Sequence, residues 1–188
     1  MPHIAFALAP NIAPTVSNAA PVHGRNPGWR LPPRALTIGL ISDTHRLLRP
    51  EAIEALRGSD FIIHAGDIGD IAVLQGLSSL APVTAIRGNV DRGSWASSLP
   101  DHDVLQAGDA YIYVVHDVAE LDIDPAAAGF QAVVSGHSHR PGWHEKDGVL
   151  FVNPGSAGPR RFKLPISVGR LTVAGTSLRA ELIDLSRR

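Results

Sequence analysis

The sequence contains no cysteine among its 188 residues. This absence excludes disulfide bonds, zinc sites built on thiolates and thiol nucleophiles. Any metal site in this chain must therefore use nitrogen and oxygen donors. The lack of cysteine also fits a cytoplasmic protein, and we expect that location.

An excess of charge of either sign is also missing, since the formal net charge is -1 at neutral pH. Such a chain has no global attraction to nucleic acid or to an anionic membrane, and we expect neither as a partner. An anionic substrate must then be attracted by something local, such as a bound cation.

Long apolar runs are absent as well, because none approaches the roughly 20 residues that span a bilayer. A short apolar patch lies at Ile4–Leu8. No lysine or arginine precedes it, which disfavours a secretory signal peptide. Residues 1–34 are rich in proline and alanine without sustained periodicity, and this pattern predicts a flexible N-terminal extension. Residues 35–188 are long enough for one domain with a real core.

The first part of this domain alternates apolar β-branched runs with helical patterns. Such alternation predicts parallel central strands in an α/β fold, with ligands bound beyond the carboxyl ends of the strands. The predicted strands are Ala35–Ser42, Phe61–His64 and Val83–Ile86, and the predicted helices are Pro50–Leu56 and Ile71–Leu80.

The second part is dominated by short strands and hairpin turns, with one Ala-rich helical turn at Ile123–Gly129. The whole pattern predicts an α/β fold in which two mixed β-sheets pack as a sandwich flanked by helices. The strands are expected at Asp103–Ala107, Ala110–Val115, Gln131–Val134, Trp143–Glu145, Val149–Val152, Ser167–Val173 and Leu178–Leu185.

Polar residues follow nearly all of the buried strands, and His137 and His139 are the clearest example. At a spacing of two in an extended segment, both rings can project to the same side. One such pair alone would more readily be a turn with two surface histidines. Five similar residues precede it, however, and all seven are of metal-ligand type: Asp43, His45, Asp67, Asn89, His116, His137 and His139.

Seven donors exceed the needs of one tetrahedral ion, but they fit two ions when one carboxylate bridges. Asp67 is the natural bridge, because Gly66 beside it permits close approach. Two-metal centres hold their ions about 3.5–4 Å apart, and a hydroxide between the ions can attack phosphorus in line with the leaving group. With no sulfur among the donors we expect two divalent ions, Mn²⁺ first, with Fe, Ni or Zn as alternatives.

These motifs, in this order, resemble those of the calcineurin-like metallophosphoesterases. They are Asp-x-His, Gly-Asp, Gly-Asn-x-Asp, a later His, Gly-His-x-His and Asn-Pro-Gly-Ser. More narrowly they are similar to the small single-domain bacterial and archaeal phosphodiesterases, to which the retromer subunit Vps29 is related. The resemblance covers about Leu36 to Leu185.

The resemblance implies roles for individual residues. One metal would be held by Asp43, His45, Asp67 and His139, and the other by Asp67, Asn89, His116 and His137. The residues expected to take part in catalysis are Asn89, which would also touch the phosphate, Asp91 and His116. Asp91 would orient a neighbour or assist proton transfer; alternatively it caps a helix that begins at Arg92.

Other polar residues have plainer interpretations. Asn153 to Ser156 would form a supporting turn near the site. His64 is interpreted as a packed strand residue, and Arg160–Arg161 either grip a phosphate or form a solvated pair. The sequence departs from many relatives at Asp117, which follows His116 where they have glycine. A carboxylate there would repel a phosphate unless it turns away or pairs.

The function implied is hydrolysis of phosphoric esters, with small phosphodiesters preferred, by the metal-bridging hydroxide. Two alternatives remain: a non-catalytic protein-binding scaffold like Vps29, or a phosphomonoesterase with the same metal site. Relatives of this size often self-associate, so the resemblance also leaves room for a homo-oligomer.

Overall fold

The computed structural model describes residues 34–161 and 163–187, apart from the side chain of residue 187. The predicted extension falls outside this range except for Arg34, so its flexibility stays a prediction. Within the described part of the chain, no helix is long and apolar enough to cross a membrane.

The first sheet contains the three predicted parallel strands at one side. In chain order the elements are β1 (Leu36–Ile41), α1 (Pro50–Leu56), β2 (Phe61–His64), α2 (Ile71–Ser78) and β3 (Val83–Ala85). Strand β2 lies parallel to both β1 and β3. Two C-terminal strands, β9 (Ser167–Ala174) and β10 (Ser177–Asp184), complete the order β10-β9-β1-β2-β3, with β9 antiparallel to β1.

The second sheet has the strand order β4-β5-β6-β8-β7. Its members are β4 (His102–Ala107), β5 (Ala110–Val115), β6 (Ala132–Val134), β7 (Gly142–Lys146) and β8 (Val149–Asn153). The β4–β5 and β7–β8 pairs are antiparallel hairpins, whereas β6 lies parallel to its neighbours β5 and β8. Both sheets are therefore mixed, as predicted.

The core lies between the sheets and continues beneath the helices. Residues of β1 alternate between the two regions: Ile38 and Leu40 belong to the cluster shared with the second sheet, and Ile41 belongs to the cluster that includes Leu56 and Leu77 of the helices. A strand buried on both faces reads as a continuous apolar run. Each such buried side chain stabilises the fold by about 1.5–3 kcal/mol. The predicted sandwich flanked by helices is confirmed.

Local sequence explains where the helices begin. Pro50 occupies the first turn of α1, where its missing N–H is not needed. The Asp70 carboxylate accepts a hydrogen bond from the Ala72 N–H at 2.9 Å and caps α2. Helix α2 ends at Ser78 rather than at the predicted Leu80. Three short 3₁₀ helices were not predicted; they span Ala96–Ser98, Val118–Glu120 and Leu185–Arg187.

Candidate metal centre

The seven predicted donors follow the carboxyl ends of five strands drawn from both sheets. Parallel strands deliver their C-terminal loops to one edge of a sheet, and here the loops of the two sheets meet. Asp43 and His45 follow β1, Asp67 follows β2, Asn89 follows β3, His116 follows β5, and His137 and His139 follow β6. The structure brings all seven into one continuous set of contacts, in two groups.

The first group consists of Asp43, His45 and His139, whose ligand atoms all lie within 4.8 Å of one another. The Asp43 Oδ1 atom is 3.2 Å from His139 Nε2. The His45 and His139 Nε2 atoms are 3.4 Å apart. Two imidazole nitrogens and a carboxylate oxygen thus face a common point, which is the arrangement a cation requires.

The second group consists of Asn89, His116 and His137. The side-chain oxygen of Asn89 lies 3.1 Å from His116 Nε2 and 3.2 Å from His137 Nδ1. The His116 Nδ1 atom donates to the Ala65 carbonyl at 2.8 Å, which leaves Nε2 turned toward the group. Fixing one ring nitrogen in this way determines which nitrogen is free to bind a metal.

Asp67 stands between the groups and presents a different oxygen to each. Its Oδ2 is 3.8 Å from His45 Nε2, and its Oδ1 is 3.4 Å from His116 Nε2. The Oδ1 atom also accepts the Val90 N–H at 3.0 Å, which fixes the carboxylate plane. The carboxylate is only 3% exposed. This geometry suits a bridging ligand; the roles of the seven residues stay a prediction.

Backbone strain is concentrated at the donors. Asp43, His45, Asp67, His137 and His139 all have φ between 46° and 62°. In this left-handed region a non-glycine residue is disfavoured by roughly 1–2 kcal/mol. Among the described residues, the other non-glycine residues with positive φ are Arg46 and Asp147. Strain concentrated at one set of polar side chains favours a functional role for that set.

The electrostatics around Asp67 and His116 favour positive charge, whereas burial lowers the pKa of His45 in the first group. Burial alone would lower the pKa of His116, but its hydrogen bonds with Asp67 and the Ala65 carbonyl, together with the Asp67 charge, raise it from 6.5 to about 9. Burial would likewise raise the pKa of Asp67, yet contacts with His116 and the Val90 N–H lower it. The negative charge that stabilises the proton on His116 would also stabilise a bound cation.

One buried carboxylate oxygen supports the same conclusion. Among the described residues, the buried side-chain atoms without a hydrogen-bond partner are Asp43 Oδ1, His64 Nδ1 and His139 Nδ1. An unsatisfied buried carboxylate oxygen is costly unless a cation or donor offsets it. The Asp43 oxygen is one of the atoms that face the first group. The donor set of carboxylate, amide and imidazole therefore fits divalent transition-metal ions.

A shell of hydroxyls and amides holds these loops, including the predicted supporting turn. Ser42 Oγ contacts both Asp43 Oδ2 and the Gly155 carbonyl, at 2.7 and 2.6 Å. Ser156 Oγ donates to the Asp43 carbonyl at 2.9 Å. Asn153 Nδ2 donates to the Gly136 carbonyl at 2.6 Å. The turn thus contacts both the Asp43 loop and the histidine-pair loop.

Asp91 makes its contacts with backbone rather than with the donors. Its carboxylate accepts N–H groups from Ile68, Gly69 and Gly88 at 3.1, 2.6 and 2.9 Å. It therefore ties the loop after β2 to the loop after β3. The alternative that it caps a helix begun at Arg92 is wrong, because Arg92 lies outside any helix and residues 93–95 form a bend and turn. The proton-transfer role stays a prediction.

His64 is fully buried, as expected of a packed strand residue, but it also makes a polar contact. The Thr44 hydroxyl donates to the Ile68 carbonyl at 3.0 Å, so its oxygen accepts the His64 Nε2–H at 3.0 Å. Burial lowers the pKa of His64 from 6.5 to about 4, against the opposing charges of Asp91 and Asp43. The ring is neutral in the folded protein.

We expect this neutral ring to destabilise the protein in acid. Between its folded pKa of about 4 and its ordinary value of 6.5, only the unfolded chain binds the proton. Stability is therefore complete above 6.5 and is lost as the pH falls toward 4, by about 2 kcal/mol at about pH 5. The measurement is urea unfolding of metal-free protein from about pH 7 to about pH 5.

The comparison is with His64→Gln, which cannot titrate, and with His144→Gln, which removes an exposed histidine. The His64→Gln protein should lose less stability over this range than the other two. His116 is present in all three proteins and does not affect the comparison. Because its pKa is raised, it stabilises the folded protein fully below pH 6.5, and this stabilisation is lost as the pH rises toward about 9. Equal pH slopes in all three proteins would contradict the prediction.

Two further residues near the donors had no motif to mark their roles. Asp117 Oδ2 lies 3.5 Å from His137 Nε2, so the carboxylate that follows His116 is paired. Arg161 Nη2 lies 3.4 Å from His45 Nε2, which places one member of the Arg160–Arg161 pair at the first group. Sequence spacing gave no signal for either contact, since both join residues remote in the chain.

The fold and the site can now be compared with known proteins. Residues 36–176 match the calcineurin-like phosphoesterase superfamily domain. A probable metallophosphoesterase of Methanothermobacter thermautotrophicus is 33% identical over 160 residues, covering 79% of this chain and 92% of the relative. A phosphodiesterase of Methanocaldococcus jannaschii is 26% identical over 138 residues, covering 64% of this chain and 83% of the relative.

Solved structures share the fold at lower identity. Vps29 of Chaetomium thermophilum superposes with a TM-score of 0.66 at 22% identity, over 79% of this chain and 97% of its own. A novel archaeal phosphodiesterase superposes with a TM-score of 0.65 at 24% identity, over 79% and 100%. Because the domain match spans most of the chain and a curated relative is 33% identical across 79% of it, this chain belongs to the calcineurin-like phosphoesterase superfamily.

Proposed function

We propose that this chain is a phosphodiesterase that works with two divalent cations, Mn²⁺ being the first candidate. The observation that carries the proposal is the placement of Asp67, whose two oxygens face different donor groups. A carboxylate so placed can serve two cations at once. The phosphodiesterase among its relatives supports the choice of a diester substrate.

The seven donors would be shared between two ions as the sequence motifs imply. Asp43, His45, His139 and Asp67 Oδ2 would hold one ion; Asp67 Oδ1, Asn89, His116 and His137 would hold the other. When bound, such ions lower the pKa of coordinated water and neutralise charge on the phosphate. The total negative charge stays modest, because five of the seven donors are neutral amide or imidazole groups.

The surrounding residues would bind and orient the substrate. Asn89 lies at the surface of the second group, where its amide can also meet a phosphate oxygen. Arg161 is exposed, and its guanidinium beside His45 can pair with a phosphate in a bidentate manner. Asp91 keeps the loops of Asp67 and Asn89 in register through its three backbone hydrogen bonds. A small diester is the proposed partner, and a cytoplasmic location and self-association stay predictions.

Metal binding and turnover test the proposal together. Metal-free protein titrated with Mn²⁺ in a calorimeter should bind two ions per chain. The loaded protein should hydrolyse an aryl phosphodiester and lose this activity with a chelator. We expect kcat/KM for the diester to exceed that for the matching aryl monoester by about tenfold or more, which is about 1.4 kcal/mol of transition-state discrimination.

Other outcomes would favour the alternatives. A loaded protein that hydrolyses neither ester would favour the protein-binding scaffold, whereas faster monoester turnover would favour a phosphomonoesterase. Binding of a single ion would contradict the bridging role of Asp67. Mg²⁺, Zn²⁺ and Ni²⁺ tested at equal occupancy would show which metal supports turnover.

A further inference from the structure

Asp117 is held in a fixed position beside the second donor group. It precedes the 3₁₀ helix Val118–Glu120, and its Oδ1 accepts the Ala119 N–H at 2.9 Å. This capping bond satisfies one oxygen and sets the direction of the carboxylate. The other oxygen, Oδ2, is then left facing His137 Nε2 at 3.5 Å.

Within the described part of the chain, the other polar contact of the His137 ring is with Asn89, whose Oδ1 lies 3.2 Å from Nδ1. The His137 side chain is 47% exposed, and its backbone lies in the left-handed region with φ of 62°. The ring meets His116 edge-on, with centroids 5.2 Å apart. An exposed imidazole with so few neighbours can rotate and change tautomer readily, unless a polar group fixes it.

We propose that Asp117 is a positioning residue for His137, and this inference rests on the proposed metal-dependent function. A neutral imidazole carries one N–H, and a carboxylate at Nε2 favours the tautomer in which Nε2 holds that proton. The competing acceptor is the neutral Asn89 Oδ1, 3.2 Å from Nδ1, but the charged Asp117 carboxylate is the stronger acceptor, so Nδ1 is left as the ligand atom for the second group. Carboxylates commonly fix metal-binding histidines in this way.

The pairing also explains how the cleft proposed to bind phosphate can have a carboxylate at its edge. The cleft containing Asn89, Asp117, Glu120 and His137 has a volume of about 330 Å³. A free carboxylate there would repel a phosphate. Oδ1 is bound to the Ala119 N–H and Oδ2 faces His137. The Asp117 charge is therefore paired with a proposed metal-binding histidine rather than free to repel the phosphate.

Asp117→Ser separates the two contacts of this carboxylate. Serine caps helices as well as aspartate does, so it can retain the bond to the Ala119 N–H, but it cannot reach His137 as well. Asp117→Asn retains an acceptor for His137 without the charge. Glu120→Gln is the matched control, because it removes a charge from the same cleft and leaves Asp117 in place.

The first measurement uses metal-free protein. Ring ¹⁵N shifts recorded at about pH 8, where an unperturbed imidazole is neutral, report the tautomer of His137. We expect the Nε2–H form in the parent protein and in Glu120→Gln, and a shift toward the Nδ1–H form, which donates to Asn89 Oδ1, in Asp117→Ser. A tautomer unchanged in Asp117→Ser would overturn the proposal, whether or not the protein proves to be an enzyme.

The second measurement is Mn²⁺ titration of the same proteins. Asp117→Ser should weaken one of the two sites by about 10–100-fold, the range for loss of a partner of a metal-binding histidine, and leave the other unchanged. Asp117→Asn should recover part of this affinity. Equal weakening of both sites, or the same loss in Glu120→Gln, would show a general charge effect and overturn the positioning role.

The two measurements keep the two proposals apart. If the parent protein binds fewer than two ions, the proposed function fails, and the tautomer of His137 still decides whether Asp117 positions it. If two ions bind and the tautomer does not respond to Asp117→Ser, the function stands and the positioning role fails.

Discussion

Replacing Asp67 by asparagine is expected to lower kcat/KM for an aryl phosphodiester by about 1,000-fold, equivalent to about 4 kcal/mol of lost transition-state stabilisation. Each oxygen of Asp67 faces a different donor group, so one substitution affects both proposed ions. An amide has one weak oxygen donor and a nitrogen that cannot bind a cation. Mn²⁺ affinity should therefore fall at both sites.

The Asp67→Asn protein should nevertheless fold. Asparagine has nearly the same volume, and its oxygen can still accept the Val90 N–H. In metal-free protein the substitution should also lower the pKa of His116 from about 9, because hydrogen bonding to Asp67 and its charge help to raise it. An NMR titration of the His116 ring detects this change independently of activity.

The matched control is Asp101→Asn, which removes an exposed carboxylate at the rim of the cleft. Asp101 pairs with Arg87 on the surface, where such pairs contribute about 0–1 kcal/mol, so activity and metal binding should stay within twofold. If Asp67→Asn kept more than about a tenth of the parent kcat/KM, the oxygens of Asp67 could not be the shared ligands of two catalytic ions.

The central strands and the donors were predictable from sequence because both depend on local pattern. The strands β2 and β5 and the helix α1 begin and end at the predicted residues. A buried strand must be apolar, so the first polar residues after it mark its carboxyl end and the edge where ligands bind. Parallel pairing of β1, β2 and β3 then brings Asp43, Asp67 and Asn89 together without further information.

The sheet order and the supporting contacts were not predictable, because they depend on pairing between distant parts of the chain. Nothing local to Ser167–Ala174 indicates that it pairs antiparallel with β1. The contact between Thr44 and His64 and that between Asp117 and His137 also join separate loops. The left-handed backbone of five donors follows from the same convergence, since each loop must turn its side chain toward a common point.

The predicted helix at Arg92 was wrong because the side chain expected to cap it makes tertiary contacts near the donors instead. Asp91 has the residue type of a helix cap, but its carboxylate is satisfied by backbone N–H groups of two other loops. Local capping preference is worth about 1 kcal/mol. Two buried hydrogen bonds and one partly buried hydrogen bond to a charged group contribute more than this, at about 1.5–3 kcal/mol each, so the tertiary arrangement prevails.

Gly88→Ala is expected to damage the fold and the metal centre together. A Cβ placed on Gly88 would overlap the backbone nitrogen and Oδ1 of Asp67, and would stand 2.9 Å from its Cα. Most of these atoms are backbone, and the carboxylate is fixed by the Val90 N–H, so no flexible side chain can yield. The loop after β3 must then move away from the loop after β2.

Such overpacking destabilises a protein by about 1–3 kcal/mol or more. For a chain of this size the melting temperature should fall by roughly 2–12 °C, at about 2–4 °C for each kcal/mol. Displacing Asp67 should also weaken both Mn²⁺ sites, in contrast to the single site affected by Asp117→Ser. Melting curves in the presence of a chelator separate the loss of folding stability from the loss of metal binding.

Gly142→Ala provides the control, because a Cβ on Gly142 meets no atom within 4 Å and its backbone lies outside the left-handed region. Its stability should stay within about 0.5 kcal/mol of the parent protein. A Gly88→Ala protein with the parent melting temperature and both metal affinities intact would mean that the two loops can separate without consequence. The close packing of Gly88 on Asp67 would then contribute nothing to holding the shared carboxylate between the donor groups.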